Sequence, residues 1–185
     1  MKKWLLFLLL ILAACNRSEP NENPDATHAT YVPIDNQIQS EVTDRSFHIT
    51  LQSAKEVYEL GEPIEVFAEL ENITEQNIQI GHGESWVTLG TTNISKDYQF
   101  GFLVTEPYIT QTIDEGETNR VNYRFSGVSY DLSMSGKSYS ENELMKMSDM
   151  EFPKGQYEIT AIVNFKDISH DEFYEHKLSV VFEVK

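Results

Sequence analysis

Gly81-His82-Gly83-Glu84-Ser85-Trp86 gathers an imidazole, a carboxylate and a hydroxyl into one short stretch, the side-chain types of a hydrolytic site. The stretch is not Gly-x-Ser-x-Gly, and no second histidine stands nearby to complete a base–nucleophile pair. Its glycines fit a turn at a hairpin-like position. Gly136-Lys137-Ser138 shares its end with a phosphate-binding loop, but Asp131 stands where that motif needs glycine, which excludes it. Met134, Met145, Met147 and Met150 place four of the five methionines in seventeen residues. Thioether sulfur is soft and suits Cu(I), yet His48, His82, His170 and His176 have no telling spacing to these methionines. Methionine equally packs irregular gaps and adaptable binding surfaces. Asp167, His170, Asp171 and Glu172 offer oxygens to calcium, without the EF-hand pattern. No metal ligand set, catalytic residue or cofactor is therefore assigned. The candidate partner-binding residues are Tyr130, Met134, Tyr139, Met145, Met147 and Met150, in a long insertion over 127–152. Tyrosine supplies amphipathic contact area, and sandwiches carry function on loops.

The elements that must hold these residues follow a period of two. Phe47, Ile49 and Leu51 alternate with polar neighbours, and so do Ile64, Val66, Ala68 and Leu70. Val121, Tyr123 and Phe125 repeat the pattern, as do Tyr157, Ile159, Ala161 and Val163. The strongest run is Tyr174, His176, Leu178, Val180, Phe182 and Val184. Shorter strands are expected over Asn77–Ile80, Ser85–Leu89, Tyr98–Thr105 and Tyr108–Ile113. Such alternation is what antiparallel sheets with one buried face require. Turn signals at Leu60-Gly61-Glu62-Pro63, Asp114-Glu115-Gly116-Glu117 and Pro153-Lys154-Gly155 separate the runs. The fold class is all-β, an antiparallel β-sandwich of about seven to nine strands over 46–185. Ser140-Glu141-Asn142-Glu143 reads as a capping box and predicts one short helix over Glu141–Met147. Residues 15–45 are polar, with Pro20, Pro24 and Pro33, and read as a flexible tether in which Tyr31-Val32-Pro33-Ile34 fits an edge segment. Asn72-Ile73-Thr74 and Asn93-Ile94-Ser95 are glycosylation sequons, of consequence only in a eukaryotic secretory route.

Residues 1–14 have the form of an export signal: Lys2 and Lys3, then an apolar run from Trp4 to Ala14 too short to cross a bilayer. Leu12-Ala13-Ala14-Cys15 resembles the lipobox of bacterial lipoproteins, which implies lipidation of Cys15 and attachment to the cell membrane outside the cytoplasm. The alternative is an ordinary signal peptide that happens to contain a cysteine. Cys15 is the only cysteine, so an intramolecular disulfide is impossible and an ordinary core must hold the domain together. The net charge is −16; without Lys2 and Lys3 it becomes −18, from 12 basic and 30 acidic side chains. That excludes nucleic acid, whose phosphates need clustered Lys and Arg.

Val57-Tyr58-Glu59-Leu60-Gly61-Glu62-Pro63-Ile64-Glu65-Val66, followed by Leu70-Glu71-Asn72, resembles the opening of bacterial immunoglobulin-like modules. Gly116-Glu117 and Phe152-Pro153-Lys154-Gly155-Gln156-Tyr157 match later landmarks of the same modules. The chain is similar to the intracellular proteinase inhibitor family of bacilli and to small bacillus-type surface lipoproteins. The likeness implies an Ig-like fold and a single-membrane host. The favoured expectation is a membrane-anchored, non-catalytic Ig-like domain that binds a protein partner at the cell surface. The alternatives are an exported protease inhibitor and a copper- or calcium-binding surface lipoprotein.

Overall fold

The computed structural model describes residues 30–34, 37–100, 107–126, 129–130 and 139–185. In chain order the first strands are β1 (Thr30–Ile34), β2 (Gln37–Asp44), β3 (Phe47–Ser53), β4 (Val57–Tyr58), β5 (Val66–Asn72), β6 (Ile78–His82) and β7 (Val87–Asn93). Then come β8 (Tyr98–Phe100), β9 (Ile109–Ile113), β10 (Thr118–Asn122), β11 (Ser129–Tyr130), helix α1 (Glu141–Ser148), β12 (Gly155–Asp167) and β13 (Glu172–Val184). One sheet has the order β1-β2-β3-β5-β10. The other runs β11-β8-β7-β12-β13-β4, with β6 joined to the far end of β12 and β9 joined to β6. The two form an all-β sandwich, antiparallel except where β4 lies parallel to the end of β13.

Alternation builds the core. Phe47, Ile49 and Leu51 of the first sheet and Tyr157, Ile159, Ala161, Val163, Tyr174, Leu178, Val180 and Phe182 of the second are buried between the layers. Phe47 sets its ring edge-on to Phe165 and Tyr174, each 5.2 Å away, an arrangement that adds about 0.5–1.5 kcal/mol per pair beyond burial itself. Polar bonds also cross between the layers: Trp86 Nε1 donates to Asn119 Oδ1 at 2.9 Å, and the Thr91 and Tyr123 hydroxyls are bonded.

The sandwich begins earlier than 46. β1 and β2 occupy part of the segment read as tether, and β2 buries Ile38, Ser40 and Val42 in strict alternation. A serine between two aliphatics gives too weak an apolar stripe to register as a strand. β1 is an edge strand, which is where Pro33 does no harm to a ladder. Helix α1 matches its capping box: Glu143 N–H donates to Ser140 Oγ at 3.2 Å, and Ser140 N–H donates to Glu143 Oε2 at 2.7 Å. The Ser140 N–H and the Ser140 hydroxyl, both donating to Glu143 Oε2, hold that carboxyl below its ordinary pKa. Tyr157 OH donates to Pro153 O at 2.8 Å, a tyrosine corner at the entry to β12. Burial drives its phenol pKa well above the ordinary value.

Both sequon asparagines are fully buried. Asn72 Nδ2 donates to the carbonyls of Gln76, Asp114 and Ile113 at 2.7, 3.1 and 3.2 Å, and its Oδ1 accepts the Thr74 N–H. Asn93 donates to Tyr139 OH at 2.5 Å and accepts the Lys96 N–H. Each closes the turn after its own strand, so both are structural residues.

Candidate binding cleft

The Gly81–Trp86 stretch does not form a hairpin. β6 and β7 lie in succession along the same edge of β12, with Gly81 opposite Lys166 and Val87 opposite Val163. Five residues, 82–86, therefore stand against two, 164 and 165, and the chain bulges. The ladder resumes where Asn164 N–H donates to Trp86 O at 3.0 Å. Glycine and serine mark a reversal and a bulge equally well, so composition could not separate the two. Within the bulge His82 is almost buried, with Nδ1 2.9 Å from Gly83 O and Nε2 3.3 Å from Gln111 Oε1. A carbonyl only accepts, so Nδ1 carries a proton. Ser85 Oγ accepts the Val87 N–H at 3.4 Å. Histidine and serine are thus each engaged with other partners.

Beside the bulge lies a cleft of about 900 Å³ that runs from the outward-facing residues of the second sheet to β10 of the first and the residues after it. Register builds it. Thr110 of β9, Gly81 of β6, Lys166 of β12 and Phe173 of β13 form one row across four neighbouring strands. Tyr108, two residues before Thr110, lays its ring on Gly81: a Cβ there would sit 2.1 Å from the tyrosine hydroxyl. Phe173 closes the other side, two strand spacings or about 10 Å from Gly81. Lys166 stands between them, its Nζ 5.3 Å from the Phe173 ring centroid. It is paired with Asp171, whose carboxylate raises the pKa of the ammonium. Tyr108 is 70% exposed, Phe173 64% and Ile162 43%. Arg124, Asn122 and Ser126 complete a polar rim. The site is thus two exposed rings flanking an ammonium over a glycine floor, with an aliphatic side chain beside them.

Of the residues expected to meet a partner, Met145 is exposed, at 61%. Tyr139, Met147 and Met150 turn inward and join the core: Met147 because a two-turn helix docks only by burying its apolar side, Tyr139 and Met150 where the chain enters and leaves that helix. Their burial corrects the expectation that they face a partner. Met134 and the side chain of Tyr130 lie outside the described residues, as do Cys15 and Gly136-Lys137-Ser138. The acidic turn is also committed within the protein. Asp167 accepts the His170 N–H at 3.1 Å and His170 Nδ1 at 2.7 Å, Asp171 pairs with Lys166, and Glu172 meets Arg45 at 2.9 Å. Among the described residues no three His, Cys, Asp or Glu side chains converge as a metal site would require.

Sequence reading passed over Tyr108, Lys166, Phe173 and Ile162 as a group. A signal was present: Ile162 and Phe173 are apolar residues on the polar phase of their strands. No protein-family model matches the chain, and no curated protein matches it.

Proposed function

We propose that the chain is a lipid-anchored, extracytoplasmic β-sandwich of Ig-like type that binds a protein partner and catalyses nothing. The observation that carries this reading is the Tyr108–Gly81–Lys166–Phe173 row with its exposed rings. Exposed aromatic and aliphatic side chains around a concavity mark interaction sites, and aromatics dominate interface hot spots. The fitting partner buries an apolar side chain between the two rings and offers a hydrogen-bond acceptor to Lys166.

The anchor reading rests on Leu12-Ala13-Ala14-Cys15. Two acyl chains on Cys15 hold a protein firmly at a membrane and raise its effective concentration for partners there. A protease inhibitor would present Gly81–Trp86 as a protruding loop; burial of His82 and Trp86 favours the cleft instead.

The test is cross-linking in intact cells with an affinity-tagged full-length chain and an exported Cys15→Ser control. Expected is one abundant partner on the wild type, lost with Phe173→Ala and Tyr108→Ala in a chain that still folds. No partner above the control refutes the reading.

A further inference from the structure

β13 is a straight strand of thirteen residues in unbroken register with β12. Its other edge is covered at one end only: Glu183 N–H donates to Glu56 O of the β4 segment at 2.9 Å. At the opposite end Arg45 donates to Phe173 O at 3.1 Å. Both bonds fall on odd-numbered residues. With no bulge between them, Glu175, Lys177, Ser179 and Val181 also aim their backbone N–H and C=O groups away from β12. Among the described residues no strand pairs with this stretch. β2 of the other sheet lies next to it, and β1 extends that sheet further out. Beside the open edge runs a trench of about 530 Å³, lined by Ser40, Val57, Lys177, Ser179, Val181 and Glu183.

We infer that the open edge of β13, from Glu175 to Val181, is a strand-addition site for an extended segment of the protein partner. The inference rests on the partner-binding reading and adds a second contact, separate from the cleft. The occupant is a polypeptide, because a row of unpaired amides and carbonyls at a two-residue repeat is satisfied along its whole length only by another backbone. The segment is basic, to complement a chain of charge −16; along the edge itself Glu56, Glu175 and Glu183 stand among Arg45, Lys177 and Lys185, which leaves the overall charge to set the preference. The same charge opposes pairing with a second copy.

The test adds a synthetic peptide of alternating lysine and valine to the purified full-length chain and follows hydrogen exchange residue by residue. Expected is slowing of about tenfold or more at the amides of Glu175, Lys177, Ser179 and Val181. The even-numbered amides between them, already bonded to β12, stay unchanged. Ser179→Pro deletes one outward N–H without touching the β12 ladder, and should abolish both the slowing and partner capture. Lys177→Pro repeats the test at a second outward amide and decides the matter where Ser179→Pro does not fold. Slowing elsewhere, no slowing, or a dimer that Ser179→Pro dissolves overturns the assignment. Capture that survives both proline variants overturns the edge and leaves partner binding standing. Absence of any partner in intact cells refutes the partner-binding reading itself.

Discussion

Gly81→Ala isolates the cleft from the stability of the sandwich. The new Cβ would stand 2.1 Å from the Tyr108 hydroxyl and 2.6 Å from its Cζ, where ordinary contact begins near 3.4 Å. The ring must therefore retreat by about 1.3 Å, well beyond what packed atoms yield by adjustment in place. Tyr108 is free to do so, because 70% of it is already exposed. If all of its remaining cover were lost, about 60 Å² of a tyrosine's roughly 200 Å² would return to water, at about 1.5 kcal/mol. Against this, alanine in a strand is favoured over glycine by about 0.5–1 kcal/mol. The two nearly cancel, so unfolding free energy should stay within about 1 kcal/mol of the parent. Trp86, buried beside the bulge, reports denaturant unfolding by fluorescence. Partner capture should nevertheless fall by about tenfold or more, since a displaced hot-spot ring forfeits about 1.4 kcal/mol or more of binding. Capture unchanged in a stable variant would refute the role of the row. A loss of stability above about 2 kcal/mol would refute the claim that Tyr108 moves without consequence for the core.

Two further outcomes follow from the polar network. Asn72→Ala strips three carbonyls, that of Ile113 buried, and the Thr74 N–H of their partner, and should lower unfolding free energy by about 1–3 kcal/mol in urea titrations. His170 should titrate above its ordinary value of 6.5, because Asp167 bonds and attracts its protonated ring. Its folded pKa is raised, so the stability it contributes is complete below the unfolded pKa and is lost as pH rises through the folded one. An NMR titration of the His170 ring that shows no fall in pKa with Asp167→Asn would contradict this assignment.

The layers were legible because their residues alternate: Tyr157 to Val163 and Tyr174 to Val184 declare a buried face without any tertiary information. Helix α1 was legible because both halves of its capping box lie within four residues. The cleft was not. Tyr108, Gly81, Lys166 and Phe173 are spread over 93 residues and meet only through register, which no local pattern encodes. Met147 and Met150 show the converse problem, since methionine suits a surface groove and an irregular core equally. The asparagines at 72 and 93 carried a glycosylation signature while serving as turn closures, for which an amide with both donors and an acceptor is the necessary group.

The hairpin of β12 and β13 has a consequence for how the chain comes together. Every other strand of the second sheet attaches directly or through neighbours to this pair, yet the pair follows all of them in sequence. Its own turn is local and closes quickly, and only with it are β4, the β6–β9 pair and the β7–β8–β11 group joined into one sheet. A chain threaded through a membrane in extended form gains from that order. On the export proposed above, the part delivered first lacks the strand pair that joins the second sheet, so that sheet is completed only once the last hairpin is through.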